Sequence, residues 1–158
     1  MRFIADGMLG KLTRWLRLMG HDVEYLNDSA DEQLIERARA EERILLTGDV
    51  ELYRRSRLIG ISAYLVKGKD QAEQLAILAK RLNLKLEINP QNSRCPICNS
   101  EIKSATKDMV KDAVPTNTFK NQDEFWICTN CSQIFWKGSH WIGISKTLMR
   151  AKELYATL

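Results

Sequence analysis

The sequence predicts an α/β domain with a mainly parallel central sheet, followed by a small zinc ribbon. Three observations carry this. Short apolar runs alternate with stretches of helical periodicity over about residues 1–88. One run, Arg43 to Thr47, is nearly continuous hydrophobic, as suits a parallel strand covered on both faces. Beyond residue 90 the pattern changes, and all four cysteines fall there in two C-x2-C pairs.

Each element has its own signal. RFIA at 2–5 reads as a buried strand ended by Asp6-Gly7. Leu9, Leu12, Trp15, Leu16 and Met19 then recur at helical spacing, predicting a helix over about 8–19 that Gly20 closes. His21-Asp22 turn the chain into a second strand at 23–26. Asn27-Asp28-Ser29 form a loop, and Leu34, Ile35 and Ala38 predict a helix from about Asp31 to Glu42. The central strand at 43–47 stops at Gly48-Asp49, and a short helix follows at 50–57. A strand at 59–66, a helix at 70–82 and a final strand at 84–88 complete the first domain, 1–90. Asn89-Pro90-Gln91-Asn92-Ser93 carries turn residues and no apolar anchor, which marks the boundary. The second unit, 91–158, is turn-rich around the cysteines and resumes a helical rhythm from Ser145.

With 44% hydrophobic and 28% charged residues, disordered and fibrous classes are excluded. The first ten residues lack a secretory pattern and no 18-residue apolar stretch follows, so a cytoplasmic protein with no membrane partner is expected. Net charge is +4, with 15 basic and 14 acidic residues before position 90 and 9 and 6 after it. That balance permits nucleic-acid binding without requiring it.

Cys95 and Cys98 are separated by 29 residues from Cys128 and Cys131. Two close pairs let each turn offer two thiolates, and a four-sulfur set with no open position makes a structural zinc site. In a reducing compartment this outweighs disulfides, and nothing nearby has a thioredoxin-like context. Lys103, Lys107 and Lys111 lie between the pairs, and Phe125, Trp126, Phe135, Trp136 and Trp141 lie around the second. These groups suit either RNA contact by phosphate attraction and stacking or the ribbon's own small core.

Asp6 and Asp49 each follow a hydrophobic strand, and in an open α/β sheet the carboxyl ends of strands line the binding crevice. Asp31, at the start of the second helix, joins them if that helix begins over the same edge; Asp28 competes with it. Carboxylates gathered in one cleft persist more readily around a divalent cation, and hard oxygen ligands favour Mg²⁺ or Mn²⁺. Helix capping and turn closure explain the same residues equally simply. Gly48 suits a tight turn that aims Asp49, and Thr47 offers a hydroxyl to orient a carboxylate. Lys11, Arg14 and Arg17 recur every three residues, forming a drifting basic stripe that serves either a phosphate backbone or solvent.

Taken in order, FIADGMLGKLTRWLRLMGHDVEYL, SADEQLIERARAEERILLTGDVEL, RCPICN, CTNC and WKGSHW resemble the Mut-seven carboxy-terminal ribonuclease family across nearly the whole chain. The resemblance implies a PIN-like three-layer domain joined to a zinc ribbon, acting on RNA phosphodiesters with a catalytic divalent metal held by Asp6, Asp31 and Asp49. It implies substrate binding by Lys11, Arg14, Arg17 and Thr47, and brings His140 of the GSHW motif toward the cleft. A fuller acidic quartet would draw on Asp28, Glu51 or Asp70. The family pattern often has a basic residue where this chain has Gly48, which removes one phosphate contact. A non-catalytic RNA-binding module in RNA processing or translation is the alternative reading.

Overall fold

The computed structural model describes residues 1–158. Strand β1 (Arg2–Ala5) leads through a 3₁₀ turn (Gly7–Leu9) into helix α1 (Gly10–Leu18). Then follow β2 (Asp22–Tyr25), α2 (Asp31–Ala40), β3 (Ile44–Thr47), α3 (Val50–Leu58), β4 (Ala63–Leu65) and α4 (Gln71–Leu82). The four strands form one parallel sheet in the order β2-β1-β3-β4.

Strand alternation divides the apolar side chains between two faces. Phe3, Ala5 and Leu46 pack with Leu12 and Leu16 of α1 and Leu75 and Ala79 of α4. Ile4 and Leu45 face the other way, onto Leu34 and Ala38 of α2 and Leu52 of α3. This is the three-layer α/β arrangement expected of PIN-like domains.

The strand expected at 59–66 is reduced to three residues, because Ile59 caps α3 and Gly60, at φ 80°, turns the chain out of it. No strand forms at 84–88. Asn83 ends α4 in the left-handed conformation, and Leu84 and Leu86 then bury beside α1 and α4 while Lys85 and Glu87 face outward. The alternation there records half-burial against helices, without a ladder partner.

In the second unit β5 (Ile102–Ala105), β6 (Phe125–Cys128) and β7 (Ile134–Phe135) form an antiparallel sheet in that order. Helices α5 (Lys107–Val110) and α6 (Thr116–Asn121) lie between the first two strands. The last helix, α7 (His140–Thr157), starts five residues before the periodicity at Ser145. It returns to the first unit: Ala151 is fully buried in the α1–α4 core, Leu148, Leu154 and Tyr155 pack beside it, and Arg150 pairs with Asp70 at 2.7 Å.

The ribbon docks at the far end of α1 and the beginning of β2. Arg17, 7% exposed, donates Nε and Nη2 to the Val23 carbonyl (3.0 and 2.8 Å) and Nη1 to the carbonyls of Pro96 and Ile97 (3.1 and 3.0 Å). Asn99 accepts from the Val23 amide (3.0 Å) and donates to Asp22 (2.7 Å). Gly20 closes α1 at φ 89°, where an added Cβ would lie 2.7 Å from the Asn92 carbonyl, so the junction needs glycine there.

Asp22 ties the junction to the sheet. Burial alone would raise its pKa, but hydrogen bonds from Arg43 and Asn99 outweigh this and hold it below the usual carboxylate range. A carboxyl depressed in the folded state contributes stability above its unfolded pKa of about 4, and that contribution is lost as pH falls through the lower folded value. Acidification below about pH 4 is therefore expected to destabilise the native protein more than an Asp22→Asn variant. Chemical denaturation across that pH range checks this; parallel curves for the two proteins would count against it.

Candidate active site and metal centre

Asp6 sits one residue past β1 in extended conformation and caps the 3₁₀ turn, accepting from the Met8 amide at 2.9 Å. Its second oxygen accepts from the Thr47 hydroxyl and from the Gly48 amide (3.0 Å). Thr47 Oγ1 in turn accepts from the Asp49 amide at 2.9 Å. A chain of hydrogen bonds thus runs from Asp49 through Thr47 to Asp6 across the carboxyl ends of the adjacent strands β1 and β3. Asp6 is 6% exposed, whereas Asp49 is exposed and caps α3 through Oδ1, which accepts from Glu51 (2.6 Å) and Leu52 (3.0 Å). Asp6 Oδ1 retains acceptor capacity, and Asp49 Oδ2 meets no protein donor.

Close packing fixes the wall beside Asp6. The Tyr25 hydroxyl lies 3.0 Å from the Gly7 carbonyl and 3.1 Å from Asn27 Oδ1, and its single proton serves one of these acceptors at a time. A Cβ at Gly7 would lie 2.3 Å from the Asn27 carbonyl, and one at Gly10 would lie 2.9 Å from the Tyr25 hydroxyl. Tyr25 and Asn27 were not singled out in the sequence; the paired glycines of DGMLG were the available sign of this close approach. Gly48 is different: its Cβ would make an ordinary 3.5 Å contact with Met8, so the turn does not demand glycine.

Asp31 does not reach this pair. It is the first residue of α2, capped instead by Ala30 with Gln33 bonding back to the Ala30 amide at 3.2 Å. Its carboxylate pairs with Arg55 of α3 at 3.1 Å, and Glu32 takes the same guanidinium at 2.8 Å, which holds Glu32 below the usual carboxylate range. Of the other acids, Asp70 caps α4 and pairs with Arg150, while Asp28 and Glu51 are exposed.

One set of metal-ligating side chains does converge. The sulfurs of Cys95, Cys98, Cys128 and Cys131 all lie within 4.8 Å of one another. Cys95–Cys131 and Cys98–Cys128 are 3.7 and 3.3 Å apart, near the separation of about 3.8 Å for sulfurs placed tetrahedrally around zinc. The amides of Asn130 and Cys131 donate to Cys128 Sγ, and Asn99 and Ser132, each following its pair, take positive φ to wrap the turns. Burial pushes the Cys95 thiol up to about 12. At Cys98 hydrogen bonds from Ser100, Cys128 and Asn130 overcome burial and bring the thiol down to about 5. The donor set fits zinc.

A family model described as the Mut7-C RNAse domain matches residues 1–148. The chain belongs to the Mut7-C RNAse domain family. No curated protein and no solved structure matches it. In this Mut7-C chain the basic stripe on α1 divides: Lys11 and Arg14 are exposed, but Arg17 is buried with its donors committed to backbone carbonyls. Arg17 therefore joins the two units and is not available to phosphate, because the three-residue step rotates it toward the packed side of the helix. His140 is also displaced from the expected cleft. It stacks edge-on against Trp136, with ring centroids 6.4 Å apart, in a groove that includes Leu18 at the opposite end of α1 from Asp6.

Proposed function

We propose that this chain is a metal-dependent ribonuclease that hydrolyses RNA phosphodiester bonds at the Asp6–Asp49 edge. The observation that supports this best is the Thr47 hydroxyl, which joins the Asp6 carboxylate to the backbone amide of Asp49 and so places two aspartates at the carboxyl ends of adjacent parallel strands, the usual ligand edge of such sheets. Mg²⁺ keeps several waters and needs only one or two carboxylates beside the substrate phosphate, so two carboxylates with spare acceptor capacity fit it or Mn²⁺. When bound, the cation supplies an acidified water and charge stabilisation on the phosphate.

The chain's own residues divide the remaining work. Asp6 and Asp49 hold the cation. Thr47 orients both, donating to the first carboxylate and accepting from the amide of the second. Asp31 is held by Arg55, a cation for which an RNA phosphate would compete. Lys11 and Arg14 attract the backbone. In this reading residues 1–90 form the nuclease unit and 91–158 the zinc-bearing unit, whose four thiolates suit a reducing, cytoplasmic setting.

Labelled single-stranded and hairpin RNAs incubated with zinc-loaded protein in Mn²⁺, Mg²⁺ or EDTA test the proposal. Products formed with either cation and lost in EDTA are expected. RNA that binds but stays intact in every condition would favour a non-catalytic module in RNA processing or translation, the reading that the commitment of Asp31 to Arg55 supports.

A further inference from the structure

The most distinctive cavity lies away from the carboxylates, in the seam between ribbon, linker and α7. It has a volume of about 260 Å³ and is lined by Leu18 and by Trp126, Trp136, Trp141 and His140; Trp126 is buried, so half-buried Trp136 and Trp141 and exposed His140 offer the accessible rings. Lys137 is the one lysine or arginine there, and no carboxylate lines it. The Lys137 ammonium lies over the Trp126 and Trp141 rings, 5.8 and 5.4 Å from their centroids. The first turn of α7, which opens beside it, has no acidic residue.

We propose that this groove takes an unpaired base of single-stranded RNA, a proposal resting on RNA as the ligand in the reading above. Aromatic faces suit any base, and a lone cation without opposing carboxylates complements the adjoining phosphate. An apolar peptide would use the same rings but has no need of a positive rim.

The charge on α1 supplies a path. Lys11, Arg14 and Leu18 are spaced by three and four residues, so they share one helix face, opposite the buried Leu12, Thr13 and Leu16. That face runs from the 3₁₀ turn after Asp6 to Leu18 in the groove lining, a span of about 17 Å from Gly7 to Leu18 at the helical rise. A strand anchored by one base in the groove passes Arg14 and then Lys11 before it meets Asp6 and Asp49. The groove would select substrates with a single-stranded segment long enough to cover that distance and reject blunt duplexes.

The test uses the full zinc-loaded chain carrying Asp49→Asn, so that RNA stays intact. Single-stranded RNA bearing one photoreactive uridine is crosslinked to it, and the attached peptide is identified by mass spectrometry. Crosslinks within residues 136–141 are expected. Lys137→Ala and His140→Ala, both at exposed positions, are expected to weaken single-stranded binding about fivefold to tenfold, with Lys137→Ala lowering the salt slope by about one. Crosslinks confined to α1 and the acidic edge, with unchanged affinity in both variants, would overturn the groove, as would RNA binding nowhere at low salt. A hydrophobic probe in the groove that saturating RNA fails to displace would overturn the proposal as well. The two readings fail separately: cleavage with unaltered KM in the groove variants keeps the nuclease and removes the groove. Groove crosslinks without cleavage by the unsubstituted chain do the reverse.

Discussion

Arg17→Ala is expected to destabilise the protein by about 3 kcal/mol and to release the ribbon from the sheet. The guanidinium is buried and makes four hydrogen bonds to three carbonyls, those of Val23, Pro96 and Ile97. Truncation leaves these acceptors without their donors in a partly enclosed junction, at about 1 kcal/mol or more each. Lysine is a poor replacement, because a point ammonium cannot serve carbonyls on both sides at once as a planar fork does. Arg17→Lys should therefore recover only part of the loss. Urea unfolding measures the stability, and limited proteolysis in the 89–93 linker measures release. Stability within about 0.5 kcal/mol of the parent, the range of an ordinary surface change, would remove Arg17 from its joining role.

Thr47→Val should lower turnover by about 100-fold while costing about 1–3 kcal/mol of stability. Valine preserves the strand-compatible shape but removes the hydroxyl that donates to Asp6 and accepts from the Asp49 amide. Asp6 then keeps only its amide donors, and the Asp49 turn loses the contact that sets its distance from Asp6. Misplacement by about 1 Å is enough for a loss of that size. Thr47→Ser retains the oxygen and is expected to recover most activity. Single-turnover cleavage beside thermal unfolding of both variants separates the two effects; a valine variant with full turnover would show that the hydroxyl does not position the carboxylates.

The first half of the fold was legible because its signals are local. Apolar runs, a helical repeat ended by Gly20, and Asp residues at strand ends mark β1 through α3 nearly to the residue. The ordered cysteine pairs were equally readable, since their spacing is the chemistry. What eluded the sequence were contacts between distant segments. Burial periodicity alone could not tell that Leu84 and Leu86 would pack without a strand partner. Arg17 looks like one more exposed base until the ribbon's Pro96 and Ile97 carbonyls are brought against it, a contact across about eighty positions. His140 is set by where α7 docks on α4, which its motif does not encode. The Asp6–Thr47 bridge spans forty-one positions: the strand ends were visible, their hydrogen bond was not. Asp31 began its helix where expected, but its ion pair depends on how α2 and α3 lie beside each other.

The most direct measurement is single-turnover cleavage of one labelled RNA in Mn²⁺ by the parent chain and by Asp49→Asn, at matched folding and saturating RNA. Asparagine caps helices about as well as aspartate, so α3 should survive while the charge toward the cation is lost. The account predicts Mn²⁺-dependent products from the parent and a loss of at least about 100-fold in the variant, the scale of removing a group that stabilises the transition state. Equal rates for the two proteins would contradict an active site at the Asp6–Asp49 edge.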